Sequence, residues 1–226
     1  MSDTALLVVA KAPEPGLAKT RLSPPASADE AAGIAAASLL DTLRAVRAVP
    51  DSAGVVAWTG ELACALRREE IAAALNGLSV VPQRGDDFGA RLAAAHADVA
   101  EVLPHRPVVQ IGMDTPQVTG QLLAECAEPL HHAEGPDAVL GPASDGGWWA
   151  LGLRDPRWAS VLAEVPMSRP DTGDLTLAAL RSHGLRVGLL PELSDVDTMS
   201  EAVPVAKRVP ESEFAAAVRA GVGVVP

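Results

Sequence analysis

Residues 107–116 read PVVQIGMDTP. Pro107 to Gly112 form a continuous apolar run without alternation, as expected of a strand buried on both faces of a parallel sheet. Short β-like runs at 5–10, 53–58, 78–81, 138–141, 148–153 and 185–190 alternate with helical stretches at 27–49, 61–75, 88–103, 121–130 and 173–183. Ser27 with Glu30 predicts a capping box at the first helix, and Asn76-Gly77 a stop after the second. The tail after Thr198 is less regular, with a terminal helix expected over 211–220. Strands alternating with helices predict an α/β fold with a mostly parallel sheet. No repeat, linker or composition break divides residues 1–226, so one domain is expected.

The 226 residues carry a formal net charge of -11. This argues against a general nucleic-acid binder but not against a small phosphorylated ligand, because local cations can sit inside an acidic whole. Cys64 and Cys126 make no C-x-x-C pair and no disulfide framework, so reduced thiols in the cytoplasm are expected. No run approaches the ~20 apolar residues of a membrane span, and the N-terminus lacks the basic segment of a signal peptide.

In open α/β sheets ligands bind beyond the carboxyl ends of the strands. Four polar or glycine-rich segments lie at or near those ends: KAPEPGLAKTR (11–21), GMDTP (112–116), GPASDGG (141–147) and SDVDT (194–198). The first is neither a P-loop nor a Rossmann fingerprint, since Gly16 stands three residues before Lys19 and no second glycine precedes it. Its Lys11, Lys19 and Arg21 either wrap a pyrophosphate or decorate a solvated turn. Asp114, just past the buried strand, suits a Mg²⁺ held together with phosphate oxygens, or a turn before Pro116. Asp145 could orient or deprotonate a hydroxyl. Gly146 and Gly147 allow close backbone approach, or the trio is simply a hairpin turn. Trp148 or Trp149 could wall a sugar or base, although tryptophan is more often core. Asp195 and Asp197, two apart on an extended chain, face one side and could share a metal; Thr198 with Glu201 equally makes a capping box. The segment Gln83 to Arg91 reads as a loop and helix start, with Asp87 near the positive helix end and Arg91 either reaching inward or pairing at the surface.

The ordered set K-A-P-x-P-G-x-x-K-T-R-L, Q-x-G-D-D-x-G-x-R-L, G-x-D-x-P, G-P-x-x-D-G-G and D-V-D-T resembles the bacterial family known as domain of unknown function 2064 over about residues 5 to 201. It is similar to glycosyltransferase-like proteins of the GT-A type and to 2-phospholactate guanylyltransferases. The resemblance implies a single-domain, three-layer nucleotide-diphospho-sugar transferase fold with a nucleotide or nucleotide-sugar donor, a small-molecule acceptor, and Mg²⁺ or Mn²⁺. It implies contacts from Lys11, Lys19 and Arg21 to base or phosphates, metal ligation by Asp114, Asp195 and Asp197, and Asp145 on the acceptor side. The expected substrate-binding set is completed by Gly16, Gln83, Asp87, Arg91, Gly146, Gly147 and Trp148. The chain departs from the family where Trp148-Trp149 replaces a tyrosine after Asp-Gly-Gly, at Met113, and at Met167-Ser168-Arg169. The same machinery serves sugar transfer or nucleotidyl transfer. The rival from another class is a nucleotide-binding interaction protein without catalysis.

Overall fold

The structure is a computed structural model describing residues 3–221. Seven strands form one sheet: β1 (Thr4–Lys11), β2 (Ser52–Thr59), β3 (Ser79–Pro82), β4 (Val108–Gly112), β5 (Ala138–Pro142), β6 (Trp148–Leu153) and β7 (Val187–Leu189). Their spatial order is β3-β2-β1-β4-β6-β5-β7. All neighbours run parallel except β6, which is antiparallel to both β4 and β5. The reason is local. The link from Pro142 to Trp148 closes on itself through Ala143 N–H to Gly147 O and Gly146 N–H to Ala143 O, and so short a turn can join only antiparallel strands.

The helices are α1 (Ala28–Arg47), α2 (Arg68–Leu75), α3 (Phe88–Val102), α4 (Gly120–His131), α5 (Thr172–Ser182), α6 (Met199–Arg208) and α7 (Glu213–Gly221). One face of the sheet packs Leu6, Val8, Val109 and Ile111 against α1 and α4. The other packs Leu7, Val9, Val108 and Leu151 against Leu92, Ala95 and Val99 of α3. This makes the expected three-layer sandwich, since successive strand residues point to opposite faces. A third cluster joins Leu22 and Ile34 to Val196, Met199 and Phe214, docking α6 and α7 onto the start of α1. Ser27 caps α1 with the predicted box: its side chain accepts from Glu30 N–H, and Glu30 accepts from Ser27 N–H.

Four expectations need correction. The helix over 61–75 is broken: a 3₁₀ turn at Leu62–Cys64 precedes α2, and Arg67 between them has φ 56°. The Leu66 amide is drawn away to Pro13 O, tying this segment to the first loop. The run 185–190 is an edge strand of three residues rather than a core strand, with Leu189 61% exposed. The tail contains α6, whose start the Thr198–Glu201 box marks and whose extent the internal Pro204 obscures. A 3₁₀ segment, Pro156–Glu164, packs on α3 where no element was expected.

Candidate functional site

The carboxyl ends of β1, β4 and β5 and the amino end of β6 open on one edge of the sheet. A cleft of about 790 Å³ lies there. Eleven of the expected residues line it: Lys11, Lys19, Arg21, Gln83, Arg91, Asp114, Asp145, Gly147, Trp148, Asp195 and Asp197. Gly16, Asp87 and Gly146 do not. Gly16 makes a turn at φ 75°, and Asp87 caps α3 by accepting from Ala90 N–H at 2.8 Å. Gly146 gives its room to another loop, since a β-carbon there would stand 1.8 Å from Pro170 O.

Lys19 is the centre of the site. Its ammonium donates to Asp114 Oδ2 at 2.8 Å and to Asp197 Oδ1 at 2.6 Å. Burial opposes the charge, yet the two carboxylates outweigh it and hold the ammonium above the usual lysine range. Its backbone is left-handed, φ 47° and ψ 42°, a conformation that a β-carbon disfavours and that two ion pairs help to hold. Arg21 adds a bond to Asp197 Oδ2 at 3.2 Å. Against partial burial, Lys19 and Arg21 keep Asp197 below the usual carboxylate range.

Asp114 is placed by β4 and by Gly112, where a β-carbon would meet its Oδ1 at 2.5 Å. Its carbonyl receives Val196 N–H at 3.1 Å, which brings Asp195 alongside. Asp195 accepts from the Thr115 hydroxyl at 2.7 Å. Burial, with the charges of Asp114 and Asp145, pushes its carboxyl up to about 7. Asp197 N–H and Thr198 N–H both donate to Glu201, so the capping box and the cleft use the same turn.

Asp145 closes its own turn by accepting from Gly147 N–H at 2.8 Å while facing the cleft. Trp148 lines the cleft with Nε1 bonded to the Thr176 hydroxyl at 3.1 Å; Trp149 is core, its Nε1 on Pro191 O at 2.9 Å. The Gln83 amide is spent on Ala10 O and Ala57 O, bracing β1 to β2. Lys11 Nζ holds Leu17 O at 2.9 Å and Arg91 Nε holds Gly85 O at 3.1 Å, so both fix loops at the rim. Met113 is tucked into the core, its sulfur accepting Lys11 N–H and its carbonyl the Ser38 hydroxyl.

Among the described residues no three His, Cys, Asp or Glu side chains form a metal-holding cluster. Asp114, Asp195 and Asp197 all reach the cleft, but Asp197 is committed to Lys19 and Arg21. Phe88, Leu92, Gln110, Met167 and Arg169 also line the cleft, where the sequence did not place them. Gln110, a polar residue inside an apolar run, and the departure from the family pattern at Met167-Ser168-Arg169 were the signals in the sequence.

The described fold is similar to a protein provisionally named a nucleotide-diphospho-sugar transferase from Desulfovibrio desulfuricans G20. The two share 27% identity over 97% of this chain and 95% of that one, with a TM-score of 0.84. It is also similar to a CMP:2-keto-3-deoxy-manno-octonic acid synthetase complexed with CTP, at 12% identity over 93% of this chain and 100% of that one, TM-score 0.57. A cytidylyltransferase from Leptospira borgpetersenii matches at 13% identity over 96% and 93% of the two chains, TM-score 0.57. No curated protein matches the chain. The sheet order and these likenesses establish the nucleotide-diphospho-sugar transferase fold. The model of the family described as "Uncharacterized protein conserved in bacteria (DUF2064)" matches residues 42–169, more than half of the sequence, and the chain belongs to that family.

Proposed function

We propose that this chain is a metal-dependent transferase that binds a nucleoside-diphosphate sugar and moves the sugar to a small-molecule acceptor. The observation that carries this reading is the Lys19 ammonium held between Asp114 and Asp197 in the cleft beyond β1 and β4. A cation from the first loop meets acids from β4 and the turn before α6 where such sheets take ligands. The likeness to the Desulfovibrio protein supports a nucleotide-sugar donor.

Asp114 and Asp195 fit Mg²⁺ or Mn²⁺, which is commonly held by one or two carboxylates together with substrate phosphates. Burial first, and then the negative charges of Asp114 and Asp145, raise the Asp195 carboxyl; a divalent ion would offset the part due to those charges. When bound, the ion supplies charge neutralisation at the pyrophosphate. Lys19 and Arg21 donate to the same phosphate oxygens, Lys19 exchanging a carboxylate bond for a phosphate one. The bond between the sugar's anomeric carbon and the β-phosphate oxygen breaks as the acceptor oxygen bonds to that carbon. Asp145, held by Gly147 N–H, takes the acceptor proton. Trp148 offers its face to the sugar.

A second reading is favoured by Arg91, at the start of α3, and by Arg169, paired with Asp171 at 2.8 Å; both line the cleft. Cations there suit a phosphorylated acceptor. Its phosphate oxygen would attack the α-phosphate of a nucleoside triphosphate, and pyrophosphate would leave.

The cytoplasm is the proposed compartment: both cysteines are free. No described helix is long and apolar enough to cross a membrane.

Calorimetric titration with UDP, GDP, dTDP, CDP and ADP, with and without Mn²⁺, tests the core of the proposal. Metal-dependent binding of one nucleotide is expected; binding of none overturns it and favours an interaction protein. Turnover then separates the readings. Sugar transfer releases a nucleoside diphosphate, and nucleotidyl transfer releases pyrophosphate.

A further inference from the structure

Gln110 lies in the centre of the sheet, opposite Leu7 of β1 and Leu151 of β6. Both neighbours are wholly buried apolar residues. A carboxamide here is costly unless its donors and acceptor are used. The Gln110 oxygen is used: His96 of α3, wholly buried, meets it through Nε2 at 2.8 Å. His96 Nδ1 is sealed off with no partner. The Gln110 nitrogen makes no hydrogen bond to the described residues and is not among the sealed-off atoms. Gln110 lines the cleft.

His96 Nδ1 is buried without a partner, and leaving it as a bare lone pair rather than as an orphaned N–H puts the ring proton on Nε2. With Nε2–H donating to the Gln110 oxygen, the NH₂ end is the free one, and it has two donors to give. The same cleft is walled by Val9, Phe88, Leu92, Trp148 and Met167, and all but Phe88 belong to the apolar cluster that also holds Leu7 and Leu151. Phe88 is 47% exposed although its chain neighbours place it at the start of an ordered helix. Apolar walls around a small number of polar groups are the usual build of a pocket that orients a ring-bearing ligand.

We propose that Gln110 is a specificity-determining residue of this cleft, positioned by His96, and that its amide N–H groups donate to an uncharged acceptor oxygen on the ring-bearing part of the ligand. The assignment rests on the transferase reading above. The oxygen belongs either to the nucleobase or to the sugar; the chemistry recognised is the same, and titration separates the two sources. A pocket that donates to such an oxygen discriminates strongly against a ligand lacking it, because the buried donor is then left unpaired.

The test titrates the full chain, with Mn²⁺, against the five nucleoside diphosphates and against UDP-glucose, dTDP-glucose and GDP-mannose. Gln110→Glu keeps the size and an oxygen for His96 but removes the donors, and weakens binding about tenfold. Gln110→Met keeps the packing without any polar atom and gives the same loss should a buried carboxylate unfold the chain. Loss with the diphosphate alone places the oxygen on the base; loss with the nucleotide sugars only places it on the sugar. Unchanged affinity in both sets overturns the assignment while leaving the transferase reading intact. Wild-type protein that binds none of the probes overturns that reading and this assignment with it. The positioning role has its own readout: His96→Leu weakens binding in the Gln110 background and adds nothing in the Gln110→Met background. Additive losses overturn it.

Discussion

Lys19 Nζ stands 2.8 Å from Asp114 Oδ2, across 95 positions of sequence. The pair joins the loop after β1 to the loop after β4, and Asp197 completes it from the turn before α6. Lys19→Met keeps the length and removes the charge. It leaves two carboxylates facing each other over a partly buried site. Nucleotide affinity is expected to fall at least about tenfold, with a stability loss on the order of 2 kcal/mol, because removing one partner strands the other charges. Calorimetry and urea unfolding on the same sample measure both. Wild-type affinity in this variant would remove the first loop from the binding site.

Asp114→Asn tests the metal proposal with no need for a turnover assay. The amide is isosteric but neutral, so Lys19 keeps one carboxylate and the ion loses one. Mn²⁺ titration followed by electron paramagnetic resonance, in the presence of a binding nucleotide, is expected to show affinity reduced about 100-fold or more, as for loss of a direct charged ligand. Retention of wild-type Mn²⁺ affinity would assign the ion to other groups.

Gly112→Ala probes the same carboxylate through the backbone. The new β-carbon would stand 2.5 Å from Asp114 Oδ1. Here the obstructing atom is the end of a short side chain, so the chain folds and Asp114 turns aside. The expected result is a small stability change, under about 1 kcal/mol, with a loss of metal-dependent nucleotide binding comparable to Asp114→Asn. A large fall in melting temperature with binding intact would be the opposite outcome.

Gly146→Ala separates a structural glycine from a ligand-facing one. Its φ is 88°, and its β-carbon would press within 1.8 Å of Pro170 O. The obstructing atoms, Pro170 O and C, belong to backbone, so the loop carrying Met167 to Pro170 must move. A destabilisation of about 2 kcal/mol or more is expected from strain and the displaced loop. Thermal unfolding measures it.

Stability should also depend on pH through His96. Burial lowers its imidazole pKa to about 4. Above about pH 6.5 the residue is neutral in both folded and unfolded chains and contributes no slope. As pH falls below that, the unfolded chain takes up a proton that the folded chain refuses until about pH 4, so stability declines across this window. The loss amounts to about 3 kcal/mol by its lower end. Urea titrations at pH 7, 6, 5 and 4.5 should show the decline in wild type and a flatter profile in His96→Leu. Parallel profiles would mean that other groups carry the acid sensitivity.

The alternation of strands and helices was determined by the sequence alone, because period and punctuation are local properties of the chain. The capping boxes at Ser27 and Thr198 were likewise written in residues three apart. The polar segments at strand ends converge on one edge of the sheet, and eleven of the expected residues line its cleft. Tertiary structure alone decided what those residues do there. Lys19 meets Asp114 and Asp197 only because β1 lies beside β4 and Val196 N–H ties the turn before α6 to Asp114 O. Gly146 turned out to face Pro170, and Gln83 to brace two strands, because room and hydrogen-bond partners are properties of neighbours distant in the chain. For the same reason Gln110 passed as one more member of an apolar run. Its meaning comes from His96, a helix away, and a linear pattern of hydrophobicity does not record which polar groups will be buried together.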